Sequence, residues 1–338
     1  MDYNQLLMEA RKNIGTNCKA CPVCNGLACG NTMPGPGSKA PGNGAHDNWK
    51  AWQQIKLDMD CIAPSGPVDM SLDFLGRKLE FPLLTGPIGS IKWQYNPESD
   101  VRDFNRDVAA VSQKLGIAGA FGDGIEAGVY LDSLKHSADF GGVSIPILNP
   151  YSDTEIKEKI ALANEAGVFA LGVVIDSAGL PHLRQRDITA GTKTVAQLRS
   201  LRECSNAPFI VKGVMSAKTA LKAVEAGADA IIVSNHGGRV LPFAPATAEV
   251  LPEIVEAVKG KTKIVVDGGI RTGFDVFRAL ALGADAAMIC RPILVSWYGA
   301  GQEGIELYVN KLKEELSDAM YMCGARKLSD ITRDMIRF

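Results

Sequence analysis

Eight short apolar runs recur along the chain, at residues 82–85, 117–121, 144–148, 170–176, 209–212, 230–234, 264–267 and 286–290, and helical patterns separate most of them. Each run is strand-length and apolar at successive positions, so both faces of the strand would be buried. That is the pattern of a parallel sheet covered by helices on its faces. The units "EAGVFALGVVID", "EAGADAIIVS" and "ALGADAAMIC" share one grammar of helix, glycine stop, short turn and buried strand. Residues 152–167 open on a capping box of Ser152 and Glu155 and stop at Gly167, and 216–227 and 272–283 also end on glycine. Eight strands alternating with helices suit an α/β fold of the (β/α)8 TIM-barrel type better than an open doubly wound sheet. The first strand is not followed by Gly-x-Gly-x-x-Gly, which weighs against a dinucleotide fold.

Ahead of the barrel the sequence changes character. Residues 1–13 read as a polar amphipathic helix, without the basic start and apolar core of a secretory signal. Residues 14–46 hold Cys18, Cys21, Cys24 and Cys29 and then a Gly/Pro-rich tract that cannot keep regular structure. The expected division is an N-terminal extension at 1–48 and a barrel at 49–338. A net charge of −2 with interspersed signs suggests neither a nucleic-acid partner nor an anionic membrane surface. No apolar run approaches the roughly 18 residues of a membrane span, and the expected location is the cytoplasm.

A barrel places chemistry at the C-terminal ends of its strands. The residues there are polar and charged. His236 follows "IIVS" and is flanked by glycines that would let a ligand approach, with Arg239 three residues on. Imidazole can take a proton near neutral pH, and a carboxylate beside it would stabilise the cation. Asp176 ends "ALGVVID" and either caps the next turn or orients His236. Arg184 and Arg186 form a solvated basic loop, or one of them joins Arg239 in clamping a substrate carboxylate. Lys212 ends "PFIVK", where a buried ammonium needs an anion unless the side chain escapes to the surface. "VVDGGIRTG" and "ICRP" follow strands seven and eight, where barrels often bind phosphate, and offer Asp267, Gly268, Gly269, Arg271 and Arg291.

These segments, "VSNHGGR", "PFIVKGVMSAKTAL" and "VVDGGIRTGFDVFRALALGADAAMICRPIL", resemble the FMN-dependent α-hydroxy acid oxidase and dehydrogenase family. The likeness runs from about residue 49 to the C-terminus and includes "MCGARKLSDITRDMI". It implies an FMN enzyme that oxidises a small 2-hydroxy acid to the 2-keto acid, with oxygen, a quinone or a redox protein as acceptor, in a homo-oligomer, a tetramer by the family's habit. It makes His236 the base, Asp176 its partner, Arg239 a carboxylate anchor and Arg184 the second substrate arginine, with Arg186 as fallback. It assigns FMN contacts to Gly86, Pro87, Asn149, Lys212, Ser234, Asp267, Gly268, Gly269, Arg271 and Arg291. The alternatives are an FMN-dependent isomerase of the type 2 isopentenyl diphosphate isomerase kind and a flavin or metal electron-transfer protein.

The chain also departs from the family. The Cys/Gly/Pro tract stands where the family has an active-site tyrosine. After strand three, Leu148 or Asn149 replaces a second tyrosine, with Tyr151 out of register. "FGDG" replaces a Ser/Thr pair and brings Asp123 near the flavin, and Cys290 replaces a glycine. The spacing C-x2-C-x2-C-x4-C partly matches a ferredoxin-type run and reads as an Fe–S or zinc site, redox-active thiols, or no special role.

Overall fold

The computed structural model of the protein describes residues 1–40, 44–184 and 190–338. Eight strands form one parallel sheet: β1 (Leu83–Thr85), β2 (Gly119–Gly122), β3 (Ser144–Leu148), β4 (Leu171–Val174), β5 (Phe209–Val214), β6 (Ala230–Val233), β7 (Lys263–Val266) and β8 (Ala286–Ile289). Neighbours pair in chain order, and β8 returns to pair with β1. The seam between β1 and β2 closes through the Leu84–Ala118 bridge and the bond from Ala120 N to Thr85 Oγ1. The eight expected strands are these eight, and the fold is the expected (β/α)8 barrel.

The barrel interior is small-residue packing. Ala118, Ala120, Ala230 and Ala286 fill it with Ile145, Ile147, Ile210, Ile232 and Met288. A hairpin of Leu72–Phe74 and Arg77–Leu79 adds Phe74 and Leu79 to this cluster, just ahead of β1. A larger apolar layer lies between the strands and the helices.

The helices are α1 (Tyr3–Asn13), α2 (Gly44–Gln54), α3 (Val101–Leu115), α4 (Val129–Asp139), α5 (Asp153–Glu165), α6 (Pro181–Arg184), α7 (Val195–Glu203), α8 (Ala217–Glu225), α9 (Thr247–Val258), α10 (Gly273–Ala281) and α11 (Arg291–Met322), the last broken at Ala300–Gly301. Their ends follow the sequence signals. Ser216 and Thr272 cap α8 and α10, and Gly167, Gly227 and Gly283 stop their helices at positive φ. Ser152 accepts from Glu155 N as half of the expected capping box, while the Glu155 side chain pairs with Lys159 instead. No helix among the described residues is long and apolar enough to cross a membrane.

α1 buries Leu6, Leu7 and Ala10, and its main neighbour is α11. Residues 14–40 hold no helix or strand, as their composition predicts. The boundary expected after residue 48 falls inside α2. That helix grips the barrel mouth: Trp52 Nε1 donates to Gly268 O at 2.8 Å, and Asn48 exchanges bonds of 2.7 and 2.9 Å with Asn235.

Candidate active site

The mouth of the barrel holds a cavity with an empty volume of about 1240 Å³, including open solvent. His236, Arg239, Lys212, Asn149, Pro87, Asp267, Gly268, Arg271 and Arg291 all line it, so most of the expected site residues meet in one place.

His236 sits one turn beyond β6 at φ +55, a left-handed conformation uncommon outside glycine. Two bonds hold it there. Its N–H donates to Ser234 Oγ at 3.2 Å, and its Nδ1 lies 3.1 Å from Asp176 Oδ1. An ionised carboxylate only accepts, so Nδ1 carries the proton and Nε2 keeps the lone pair. β4 ends two residues short of Asp176, which rides on a 3₁₀ turn (Ile175–Gly179) rather than on the strand. Asp176 Oδ2 is buried without a hydrogen-bond partner.

Gly213 makes room for that carboxylate. β5 shifts register between Lys212 and Val214, and Gly213 takes φ +100. A Cβ there would stand 2.7 Å from Asp176 Cγ. Gly213→Ala therefore strains the backbone by about 1–3 kcal/mol and pushes Asp176 off His236. The sequence expectation of an FMN enzyme with His236 as base then predicts that kcat falls while FMN content holds; unchanged kcat would show that the Asp176 contact does not position His236.

Lys212 is buried and forms a 2.8 Å ion pair with Asp267 and a 2.6 Å bond to Ser234 Oγ. Burial disfavours its ammonium, but Asp267 and then Asp176 outweigh that and leave its pKa raised. The charge is thus kept inside the cavity and not lost to the surface.

Arg239 is also buried. Burial pushes its guanidinium down to about 10, and Arg291 adds to the shift. Its Nη1 donates to Gly35 O and Gly37 O at 2.6 and 2.8 Å, and its Nη2 to Gln94 Oε1 at 3.3 Å. Carbonyls of the N-terminal segment hold two more arginines. Arg291 Nη1 donates to Pro36 O at 3.3 Å and Arg271 Nε to Cys24 O at 2.5 Å. Arg271 Nη2 is buried without a partner. The buried ammonium of Lys212 after β5, the orphaned guanidinium N–H of Arg271 after β7 and Arg291 after β8 fit a phosphate-bearing cofactor.

Several sequence readings change. The two glycines after His236 were expected to make room for a ligand. Gly237 does line the cavity, and a Cβ there would also stand 2.5 Å from Arg291 Nη2; one at Gly238 would stand 3.0 Å from Gly44 in α2. Gly269 likewise makes room for the α2 backbone at Asn48, and Gly86 for Cys290. Gly86, Gly269 and Ser234 do not line the cavity. Arg184 ends the short helix α6, and Arg186 lies outside the described residues. Asp123 is buried, and its pKa is raised by that burial against the pull of Lys159, 2.8 Å away. It braces Asn149 through bonds of 2.6 and 3.2 Å and is not itself a cavity wall.

Tyr95 and Gln94 line the cavity and were not singled out in the sequence. They lie between β1 and α3, and Tyr95 is close enough to Arg239 for each to feel the other's charge. Cys290 is walled in too, and burial pushes its thiol up to about 11. The four N-terminal cysteines line a separate, small cavity. Among the described residues, no three His, Cys, Asp or Glu side chains are gathered as ligands of a metal ion.

Comparison with known proteins fits this site. The family model described as FMN-dependent dehydrogenase matches residues 37–198 and 182–338. A peroxisomal (S)-2-hydroxyacid oxidase of Arabidopsis thaliana is 31% identical over 86% of this chain and 87% of its own. An L-lactate oxidase of Lactobacillus jensenii is 35% identical over 61% of this chain and 51% of its own. A crystal structure of mandelate oxidase with benzoyl-formic acid superposes with a TM-score of 0.83 at 25% identity, covering 99% of this chain and 97% of that one.

Proposed function

The chain belongs to the FMN-dependent dehydrogenase family and is an FMN-dependent enzyme of 2-hydroxy acid oxidation, and from that premise we propose that His236 is its base, oriented by Asp176, with Arg239 anchoring the substrate carboxylate. The observation that carries this is the 3.1 Å contact of His236 Nδ1 with Asp176 Oδ1 in the cavity that Arg239 also lines. Lys212, Pro87, Asn149, Asp267, Gly268, Arg271 and Arg291 would hold FMN, with the arginines meeting its phosphate. Bound FMN supplies the two-electron acceptor for the substrate.

His236 Nε2 receives the proton. It is the hydroxyl proton if the α-hydrogen leaves as hydride, and the α-proton if the substrate passes through a carbanion. Asp176 then faces an imidazolium and stabilises it. Arg239, disfavoured by its burial, gains an anionic partner when the carboxylate binds, and so fixes the α-carbon relative to His236. Arg184 is the second carboxylate ligand in this reading, with Arg186 as its alternate. Ile88, Ile125 and Leu180 give the cavity an apolar side, which favours a substrate larger than glycolate. Cytoplasmic residence and a homo-oligomer belong to the proposal as readings of sequence and family. The acceptor is oxygen, a quinone or a redox protein. No observation specifically favours the isomerase or the electron carrier without turnover.

An anaerobic screen of 2-hydroxy acids by flavin absorbance tests the substrate. Acids with apolar side chains should bleach the flavin faster than glycolate. Faster bleaching by glycolate than by every larger acid would overturn the size assignment.

A further inference from the structure

The oxidation chemistry leaves Cys18, Cys21, Cys24 and Cys29 unused, and all four precede residue 37, where the family match begins. They are free thiols, none of them fully exposed. The chain folds so that all four line one cavity between α1 and the start of α11. Its walls contain no histidine and no carboxylate, and burial pushes the one phenol there, Tyr3, up to about 12, which leaves the four sulfurs as the donors of a metal-ligand kind.

An all-thiolate set selects zinc or an iron–sulfur cluster. Zinc with Zn–S bonds of about 2.3 Å would draw four sulfurs to within about 4 Å of one another. The described thiols are not gathered round one point in that way. They line one common cavity without converging on a point, as thiolates that each bind a different iron of one cluster would. Such a cluster with four thiolates is anionic, and cations surround the cavity. Lys19 lines it, Arg11 donates Nε to Lys19 O at 3.3 Å, and Arg271 donates to Cys24 O. Arg291 is close enough to Cys24 and Cys29 to feel their charge.

We propose that Cys18, Cys21, Cys24 and Cys29 hold a [4Fe–4S] cluster in this cavity. Arg271 and Arg291 reach both the cysteine segment and the larger cavity, so the two sites share a wall. The site goes beyond the oxidation reading, and its test uses no substrate.

Protein purified without oxygen should carry about four iron and four acid-labile sulfide per chain, with an electron paramagnetic resonance signal after dithionite reduction. Cys24→Ser and Cys29→Ser should lose most of the iron, while Cys61→Ser, at an exposed thiol outside the cavity, keeps it. Retained FMN and an unchanged circular dichroism spectrum separate ligand loss from misfolding. Cofactor-free wild type treated anaerobically with equal ferric and ferrous iron and sulfide gives a second route that needs no variant. Zinc in place of iron, or no iron and sulfide by either route, would overturn the proposal.

Discussion

Replacing His236 with alanine lowers the rate at which a 2-hydroxy acid reduces the enzyme by about 10²–10⁴, the usual contribution of a general base. FMN content should not change, because the proposed cofactor contacts are Lys212, Arg271 and Arg291 and do not include the imidazole. The size of the effect follows from how firmly the ring is placed. The backbone is held at φ +55 by its bond to Ser234 Oγ, and Nδ1 is committed to Asp176. A conformation costing about 1–3 kcal/mol persists only where its surroundings over-determine it. Here those surroundings leave Nε2 as the free proton acceptor. Rapid-mixing absorbance without oxygen measures the effect. A His236→Ala enzyme bleached as fast as wild type would remove His236 from the reaction.

Lys212→Met should destabilise the fold by about 3–5 kcal/mol, because it leaves Asp267 ionised, nearly buried and unpaired. The lysine side chain is 6% exposed and the aspartate 13%, so solvent screens this pair little. Ser234 Oγ, which also supports His236 N, loses its donor as well. The pH dependence has a definite sign. A lysine whose pKa is raised in the folded state stabilises fully below the unfolded value of about 10.4 and loses that only as pH climbs past the raised value. The loss in Lys212→Met should therefore be constant between about pH 6 and 9. Denaturant unfolding of cofactor-free protein reads it directly. Lys212→Met with Asp267→Leu should recover much of the loss, since a buried pair replaced whole costs far less than one broken. A single variant as stable as wild type would mean that the pair is not buried as described.

The barrel was legible because its signals are local. Buried parallel strands write themselves as short apolar runs, and helix ends as Ser or Thr caps and glycine stops. Strand ends then pointed to His236, Asp176 and Lys212, which meet through Ser234 and the Asp176 contact. What stayed hidden is long-range or carried by the backbone. The oxygens that hold Arg239, Arg271 and Arg291 belong to Gly35, Gly37, Cys24 and Pro36, and a carbonyl has no residue signature. Tyr95 and Gln94 reach the cavity from an irregular stretch that lacks periodicity. Gly237 and Gly238 were visible, but what they make room for is set by Arg291 and α2, both distant in sequence. Asp123 was expected near the cofactor for what it replaces, yet burial and Lys159 turn it into a brace for Asn149.

In the proposed reaction, the cavity that holds His236 turns a 2-hydroxy acid into a 2-keto acid. A single anaerobic turnover tests it most directly: excess 2-hydroxy acid is added to the FMN-loaded enzyme, and the keto acid formed is measured against the flavin reduced. Equal amounts are expected in wild type and, within the same interval, neither in His236→Ala. Flavin reduced without keto acid, or no reduction by any 2-hydroxy acid tried, would contradict it.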